Sequence, residues 1–312
     1  MKRIPVILDG DPGHDDAIAW LIAAASAQLE ILAVTTVAGN KDIHNVTRNA
    51  QKLCDLFGIT APLAMGAHGP LVAEAITAGE FHGQTGLDGV ELPEPEKQLS
   101  PESAVALMAG VLERSPEPVT IIATGAETNL GALLLWRPDL KPKIRAFYVM
   151  GGGIERGNWV PAAEFNILVD PEAADLVFRS GIPVVMCGLD VTERALIYPE
   201  DVEQIRGLGT KLGNIVALWL DFFCATHFAL GYSGAPLHDP CAVLALLRPE
   251  LFTIRQAEIK IMTGGRFTRG ATIADYEAGE RCNGCVVSDV DRPRFVDALI
   301  GAILSYGEEG KA

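Results

Sequence analysis

The most constraining feature of this sequence is a repeated order. A short β-branched run ends in a polar or glycine-rich break, and a helical pattern follows. Residues 4–8 break at "DGDPG" and lead into a helical pattern over 15–27. Residues 31–37 end at Gly39-Asn40 before a helical stretch over 45–57, and 119–123 end at Thr124-Gly125 before 130–136. Residues 147–150 run into Gly151-Gly152-Gly153, and 183–186 into Gly188-Leu189-Asp190. Strands that alternate with helices in this way predict βαβ units. The expected fold is α/β, an open, mostly parallel Rossmann-like sheet with helices on both faces. From residue 212 the pattern becomes more helical, over 212–230 and 240–247. Strand pattern returns near 254–262, and a closing helix is expected over 292–305. An apolar content of 49% supplies a large core. No linker or internal repeat divides the chain, so residues 1–312 are expected to form a single domain.

In open α/β sheets a ligand sits outside the carboxyl ends of the strands. The strand ends here carry Asp9, Asp11, Asn40, Thr124 and Met150. Such a convergence predicts a site before any motif is considered. The net charge is -15 and no basic stretch offers phosphate contacts, so neither nucleic acid nor an anionic membrane is an expected partner. The opening apolar run is too short for a signal peptide or a span, and a cytoplasmic location is expected. Cys54, Cys187, Cys224 and Cys241 lie in apolar segments and read as buried thiols. Cys282 and Cys285 form one C-x-x-C without the second pair or histidines that a zinc site needs.

"DGDPGHDD" packs Asp9, Asp11, Asp15 and Asp16 around one tight turn. Acids at a helix start cap its amides, which accounts for Asp15 or Asp16 taken singly. Four carboxylates folded together call for a hard cation with oxygen ligands, Ca²⁺ or Mg²⁺. An EF-hand loop begun at Asp9 would need Gly and Glu where His14 and Trp20 stand. The turn also lacks the spacing of a phosphate-cradling glycine loop. A neutral, hydroxyl-rich substrate suits such an array better than a phosphate does.

"DGDPGHDDA" resembles the amino-terminal signature of the nucleoside hydrolases, the inosine–uridine-preferring ribohydrolase family. "VAGN" (37–40), "HGQTGLDG" (82–89), "TGAETNLG" (124–131), "VMGGG" (149–153), "GNWVPAAEFNILVDPEAA" (157–174) and "LHDPCAV" (237–243) resemble family segments in family order. The resemblance implies the nucleoside hydrolase fold and one Ca²⁺ per subunit. It implies Asp11, Asp16, Asp239 and the carbonyl of Thr124 as metal ligands. Asp15 is then the general base for the attacking water. Asn40, Asn158, Glu164 and Asn166 match ribose-binding positions, with Met150 against the sugar. In "EFN", Glu164 and Asn166 are expected on one face of an extended segment. Asp9 either supports the ligands from behind or makes a structural hydrogen bond. His238 is implied at the leaving base, as general acid or as base-binding group. His82 lies in a glycine-rich stretch that resembles a family lid, and His14 receives no chemical role.

The segment 222–236 should help to form the base pocket. His227 and Tyr232 are its candidates for reaching the base. Phe222, Phe223 and Phe228 suit helix packing equally well. The fuller pattern resembles the bacterial, pyrimidine-leaning branch. The implied function is release of ribose and free base from ribonucleosides such as uridine, cytidine or inosine. A homodimer or homotetramer is implied by resemblance alone. Two alternatives stand at this point. One is a D-x-D phosphatase with Asp9 as nucleophile; the other is a non-catalytic nucleoside or ribose binder.

Overall fold

A computed structural model describes residues 2–78 and 83–307. β1 (Ile4–Gly10) leads into α1 (His14–Ala25), and β2 (Leu29–Thr36) into α2 (Ile43–Phe57). After the short β3 (Leu63–Ala64) come α3 (Ala104–Arg114), β4 (Val119–Ala123) and α4 (Thr128–Trp136). β5 (Ile144–Met150), α5 (Phe165–Val169) and α6 (Pro171–Phe178) follow. Then come β6 (Val184–Cys187), α7 (Leu189–Thr192), β7 (Leu196–Ile197), α8 (Pro199–Arg206) and the long α9 (Lys211–Ala229). The remaining elements are β8 (Ala235–Pro236), α10 (Pro240–Leu247), β9 (Phe252–Ile261), β10 (Thr272–Asp275), β11 (Gly284–Val290) and α11 (Arg292–Ser305).

One sheet of nine strands runs through the described residues in the order β10-β9-β11-β6-β5-β4-β1-β2-β3. Every neighbouring pair from β11 to β3 is parallel, and β9 is antiparallel to both β10 and β11. Both faces are covered. Val6 and Leu8 point into one apolar cluster, with Trp20, Trp219 and Phe295. Ile7 between them points into the other, with Leu130, Phe147 and Phe178. A parallel strand buried on both faces reads as a continuous apolar run, as the first and fourth strands do.

The last third of the chain is less helical than its pattern suggests. β11 returns to the main sheet beside β6, and β9 and β10 extend it. Only Val286 and Val287 of β11 are fully buried, and Ser288 and Asp289 follow them, so the apolar run is too brief to announce a strand. α9 has the length and apolarity of a membrane span, yet half of that stretch is buried inside the protein. It packs on α8 and against α1.

Strand order reverses at β1, which has β2 on one side and β4 on the other. The two crossovers diverge there and open a crevice at the strand ends. Asp9 and Asp11 stand at the end of β1, and Thr124 at the end of β4. The Thr124 N–H donates to the Asp9 carbonyl at 2.8 Å and locks the two ends together.

Candidate active site

The floor of the crevice is acidic and almost dry. Asp9, Asp11 and Asp16 have no exposure, Asp239 has 2% and Asp15 has 5%. Asp16 lies in the first turn of α1, where its Oδ2 accepts the Gly13 N–H at 3.0 Å. Its Oδ1 accepts from Thr124 Oγ1 at 2.6 Å. The Asn40 N–H donates to Asp11 Oδ2 at 2.6 Å, and Asn40 Nδ2 donates to the Asp11 carbonyl at 3.2 Å. Oxygen atoms of Asp15, Asp16 and Asp239 lie within 4.8 Å of one another, so the chain joins α1 to the start of α10 across more than two hundred residues. Asp11 adjoins this trio and repels Asp16 and Asp15 electrostatically.

Burial pushes each of these carboxyls upward, and mutual repulsion adds to the shift. Asp15 is raised to about 8, by burial first and then by Asp16. Asp9 is raised to about 7 by burial, which outweighs its bonds to Thr35 and Asn129. Asp11 and Asp239 are pushed well above the carboxylate range for the same reasons. Isolated buried ions are costly by several kcal/mol each, so such a cluster ionises only around a counter-charge. Two observations show that the donors fit a divalent cation. Asp11 Oδ1 and Asp15 Oδ1 are buried without a hydrogen-bond partner. The backbone also crowds against the acids. A Cβ on Gly39 would stand 2.1 Å from Asp11 Oδ2, and one on Gly125 would stand 2.8 Å from Asp11 Oδ1. All the donors are oxygens, the choice of Ca²⁺ and Mg²⁺ rather than of zinc or copper.

Above the floor lies a cleft lined by both polar and apolar side chains, the usual make-up of a small-ligand site. Asp15, Thr124 and Asp239 line its base, with Asn40, Met150 and Asn166 on the wall. Asn166 Nδ2 donates to the Thr124 carbonyl at 3.1 Å and the Met150 carbonyl at 3.0 Å, bracing the ends of β4 and β5. The expectation of an extended "EFN" is corrected. Glu164 is the N-cap of α5, and Asn166 lies in its first turn. Glu164 Oε1 accepts the Asn166 N–H at 2.9 Å, while Oε2 accepts the N–H groups of Ile167 at 3.2 Å and Gly152 at 2.9 Å. Unpaired amides at a helix start attract such a carboxylate more strongly than a strand would. Both side chains still line the cleft, and Asn158 joins them with its Oδ1 on the Phe165 N–H.

His227, Tyr232 and His238 line the far end of the cleft. Phe223 is there as well, so it both packs the core and walls the site. Phe228 is 41% exposed and does not serve the packing expected of it. Phe222 stacks on His14, whose Nε2 meets the Asp88 carbonyl at 2.8 Å. Burial holds His14 down to about 4, so it is a neutral packing group. His82 lies outside the described residues. Asp9 is not among the cleft residues, and its Oδ1 is taken by Thr35 at 2.6 Å and Asn129 at 2.8 Å. Its Oδ2 has no partner but is buried away from the cleft, so it is not presented as the nucleophile a D-x-D phosphatase would need.

A family model for the inosine-uridine preferring nucleoside hydrolases matches residues 6–297. The chain belongs to this family. Its members are metal-dependent, and this nucleoside hydrolase cleaves the N-glycosidic bond of ribonucleosides. It is 48% identical over 308 residues to the pyrimidine-specific ribonucleoside hydrolase RihA of Citrobacter koseri, a match covering 97% of this chain and 99% of that protein. RihA of Escherichia coli O9:H4 matches with the same identity and coverage. Among solved structures, the purine-preferring ribonucleoside hydrolase from Gardnerella vaginalis superposes with a TM-score of 0.89 at 32% identity, covering 96% of this chain and 97% of that one. One frame therefore carries relatives named for opposite base preferences.

Two hydrogen bonds fix the histidines that line the cleft. His227 Nδ1 meets the Phe223 carbonyl at 2.8 Å. A carbonyl only accepts, so Nδ1 carries the proton and Nε2 is left as an acceptor in the neutral ring. His238 Nδ1 is 2.7 Å from Thr192 Oγ1. Thr192 gives no sign of this in the sequence, being one polar residue among Asp190, Glu193 and Arg194. Asn129 is equally silent, although it ties Asp9 to the Thr36 carbonyl.

Proposed function

We propose that this chain is a Ca²⁺-dependent ribonucleoside hydrolase that prefers pyrimidine nucleosides. Asp11, Asp16, Asp239 and the Thr124 carbonyl would hold the ion. When bound, the ion supplies a Lewis acid that orients a water and eases its deprotonation. Asp15 takes the proton from that water as general base. The observation that carries this reading is the pair of buried, unpartnered oxygens, Asp11 Oδ1 and Asp15 Oδ1, beside Asp16 and Asp239. Asp15 has an oxygen committed to no protein donor, as a base awaiting a water requires.

Asn40, Asn158, Glu164 and Asn166 hold the ribose hydroxyls, and Met150 lies under the sugar. Holding C1′ toward the water lowers the barrier by an amount on the order of several kcal/mol. The transition state is oxocarbenium-like, and the carboxylates around it stabilise its positive charge. His238 is assigned as the group that meets the leaving base, with its Nδ1 on Thr192 Oγ1 and its Nε2 left for the base. Burial and the neighbouring His227 hold its imidazole down to about 3, so it is neutral at pH 7. A bound cation would shift it further the same way. His227 offers an acceptor for an N–H on the edge of a pyrimidine, and Tyr232 flanks it edge-on at 5.4 Å between ring centroids.

The single nine-stranded sheet supports reading residues 1–312 as one domain. We place the enzyme in the cytoplasm as a homodimer or homotetramer. The test is a nucleoside panel with reducing-sugar detection. Ribose should appear from uridine and cytidine faster than from inosine. Faster release from inosine would overturn the base preference, and no release from any of the three would overturn the substrate class.

A further inference from the structure

The four-residue helix α7 and the residue that follows it gather contacts from the 152–156 loop, from Tyr232 and from His238. Leu189 N–H donates to the Gly152 carbonyl at 2.8 Å. Asp190 accepts the N–H groups of Ile154 at 2.9 Å and Glu155 at 3.1 Å. Thr192 meets His238. Glu193 then does two things at once. Its carboxylate pairs with the Arg156 guanidinium through both oxygens, one bond being 2.9 Å from Nε to Oε2. Its Oε1 also accepts from the Tyr232 hydroxyl at 3.3 Å. Arg156 belongs to the loop that carries Asn158 and Trp159 into the cleft, whereas Tyr232 comes from the segment after α9. Glu193 itself is no part of the cleft lining, and its side chain is 19% exposed.

We propose that Glu193 is a positioning residue for base recognition. It clamps the loop at Arg156 to the Tyr232 wall, and so sets the width and orientation of the end of the cleft that receives the base. The inference rests on the nucleoside-binding reading of the cleft and adds a specific residue to it. The chemistry argues for the pairing. A carboxylate only accepts, while Arg156 and the Tyr232 hydroxyl both donate, so one anion satisfies both walls. A bidentate guanidinium pair also fixes geometry better than a single contact does. Removing the anion loosens this junction, in which Arg156 and the Tyr232 hydroxyl also meet directly, without touching the acidic floor.

Glu193→Gln and Tyr232→Phe, alone and combined, test this with two substrates. One is uridine. The other is 4-nitrophenyl β-D-ribofuranoside, which presents the same sugar but no nucleobase edge. Glu193→Gln should raise KM for uridine by roughly tenfold to a hundredfold, as the loss of a charge-assisted contact does. Its kcat for uridine and both constants for the nitrophenyl riboside should stay within about threefold, well below that loss. The double variant should lose less than the product of the two single losses, because the residues share one contact. Equal losses on both substrates, an unchanged KM for uridine, or fully multiplicative losses would overturn the proposal. Wild-type enzyme inactive on every nucleoside would strike the substrate reading beneath it. Active wild-type enzyme with an indistinguishable Glu193→Gln variant would strike Glu193 alone.

Discussion

A methyl group at Gly39 would stand 2.1 Å from Asp11 Oδ2, nearer than any real side-chain contact. The glycines of "VAGN" and "TGAETN" are thus part of the acidic floor, because they let the backbone close around its carboxylates. Gly39→Ala should displace Asp11 and weaken Ca²⁺ binding by at least about tenfold, the order expected when one charged contact is lost. Calorimetric titration with Ca²⁺ checks this, and unchanged affinity would contradict it. Asp15 stands differently. If it serves as the base, Asp15→Asn should fold, still gain thermal stability on adding Ca²⁺, and lose turnover by roughly 10²–10⁴-fold. Retained turnover on uridine would remove Asp15 from its role. The acids were legible in the sequence because four of them crowd one turn. Thr192 and Asn129 were not, because each stands among other polar residues, Asp190 and Glu193 or Glu127 and Thr128, and its partner shows only after folding.

At the scale of elements, the strand ends were readable and the irregular connections were not. β4, α10 and α11 have the bounds that the pattern of apolar residues predicts. β1 and β2 differ from it only at their ends, where fraying and caps decide. "EFN" misleads because three residues contain no period. There the unpaired amides of α5 captured Glu164 as a cap. That geometry predicts a cost for Glu164→Ala of about 2–3 kcal/mol from three lost backbone bonds, one of them holding Gly152 of the glycine turn. Thermal melting should show it as a drop of several degrees. Glu164→Gln keeps one acceptor oxygen and should lose clearly less. Equal melting temperatures for wild type and Glu164→Ala would show that the cap contributes nothing.

The whole molecule brings Asp239 to Asp15 and Asp16 only by folding the sheet around its switch point. The sequence shows the three acids, and only their resemblance to family segments hinted that they meet. The cluster also makes global stability depend on pH. Asp9 and Asp15 have folded values near 7 and 8, against an ordinary value of 3.8. A raised carboxyl favours the protonated folded state. Its contribution is therefore complete below about pH 4 and is lost as pH rises through 7–8. Metal-free protein should thus melt at lower temperature at pH 8 than at pH 5, and the rise in melting temperature on adding Ca²⁺ should grow over the same interval. A Ca²⁺ effect that shrinks from pH 5 to pH 8 would contradict this. The most direct measurement of the central claim is ribose release from uridine by enzyme stripped of divalent ions, before and after Ca²⁺ is restored. The account predicts that release falls to background after chelation and returns with Ca²⁺. Full turnover by protein shown to be metal-free by elemental analysis would contradict it.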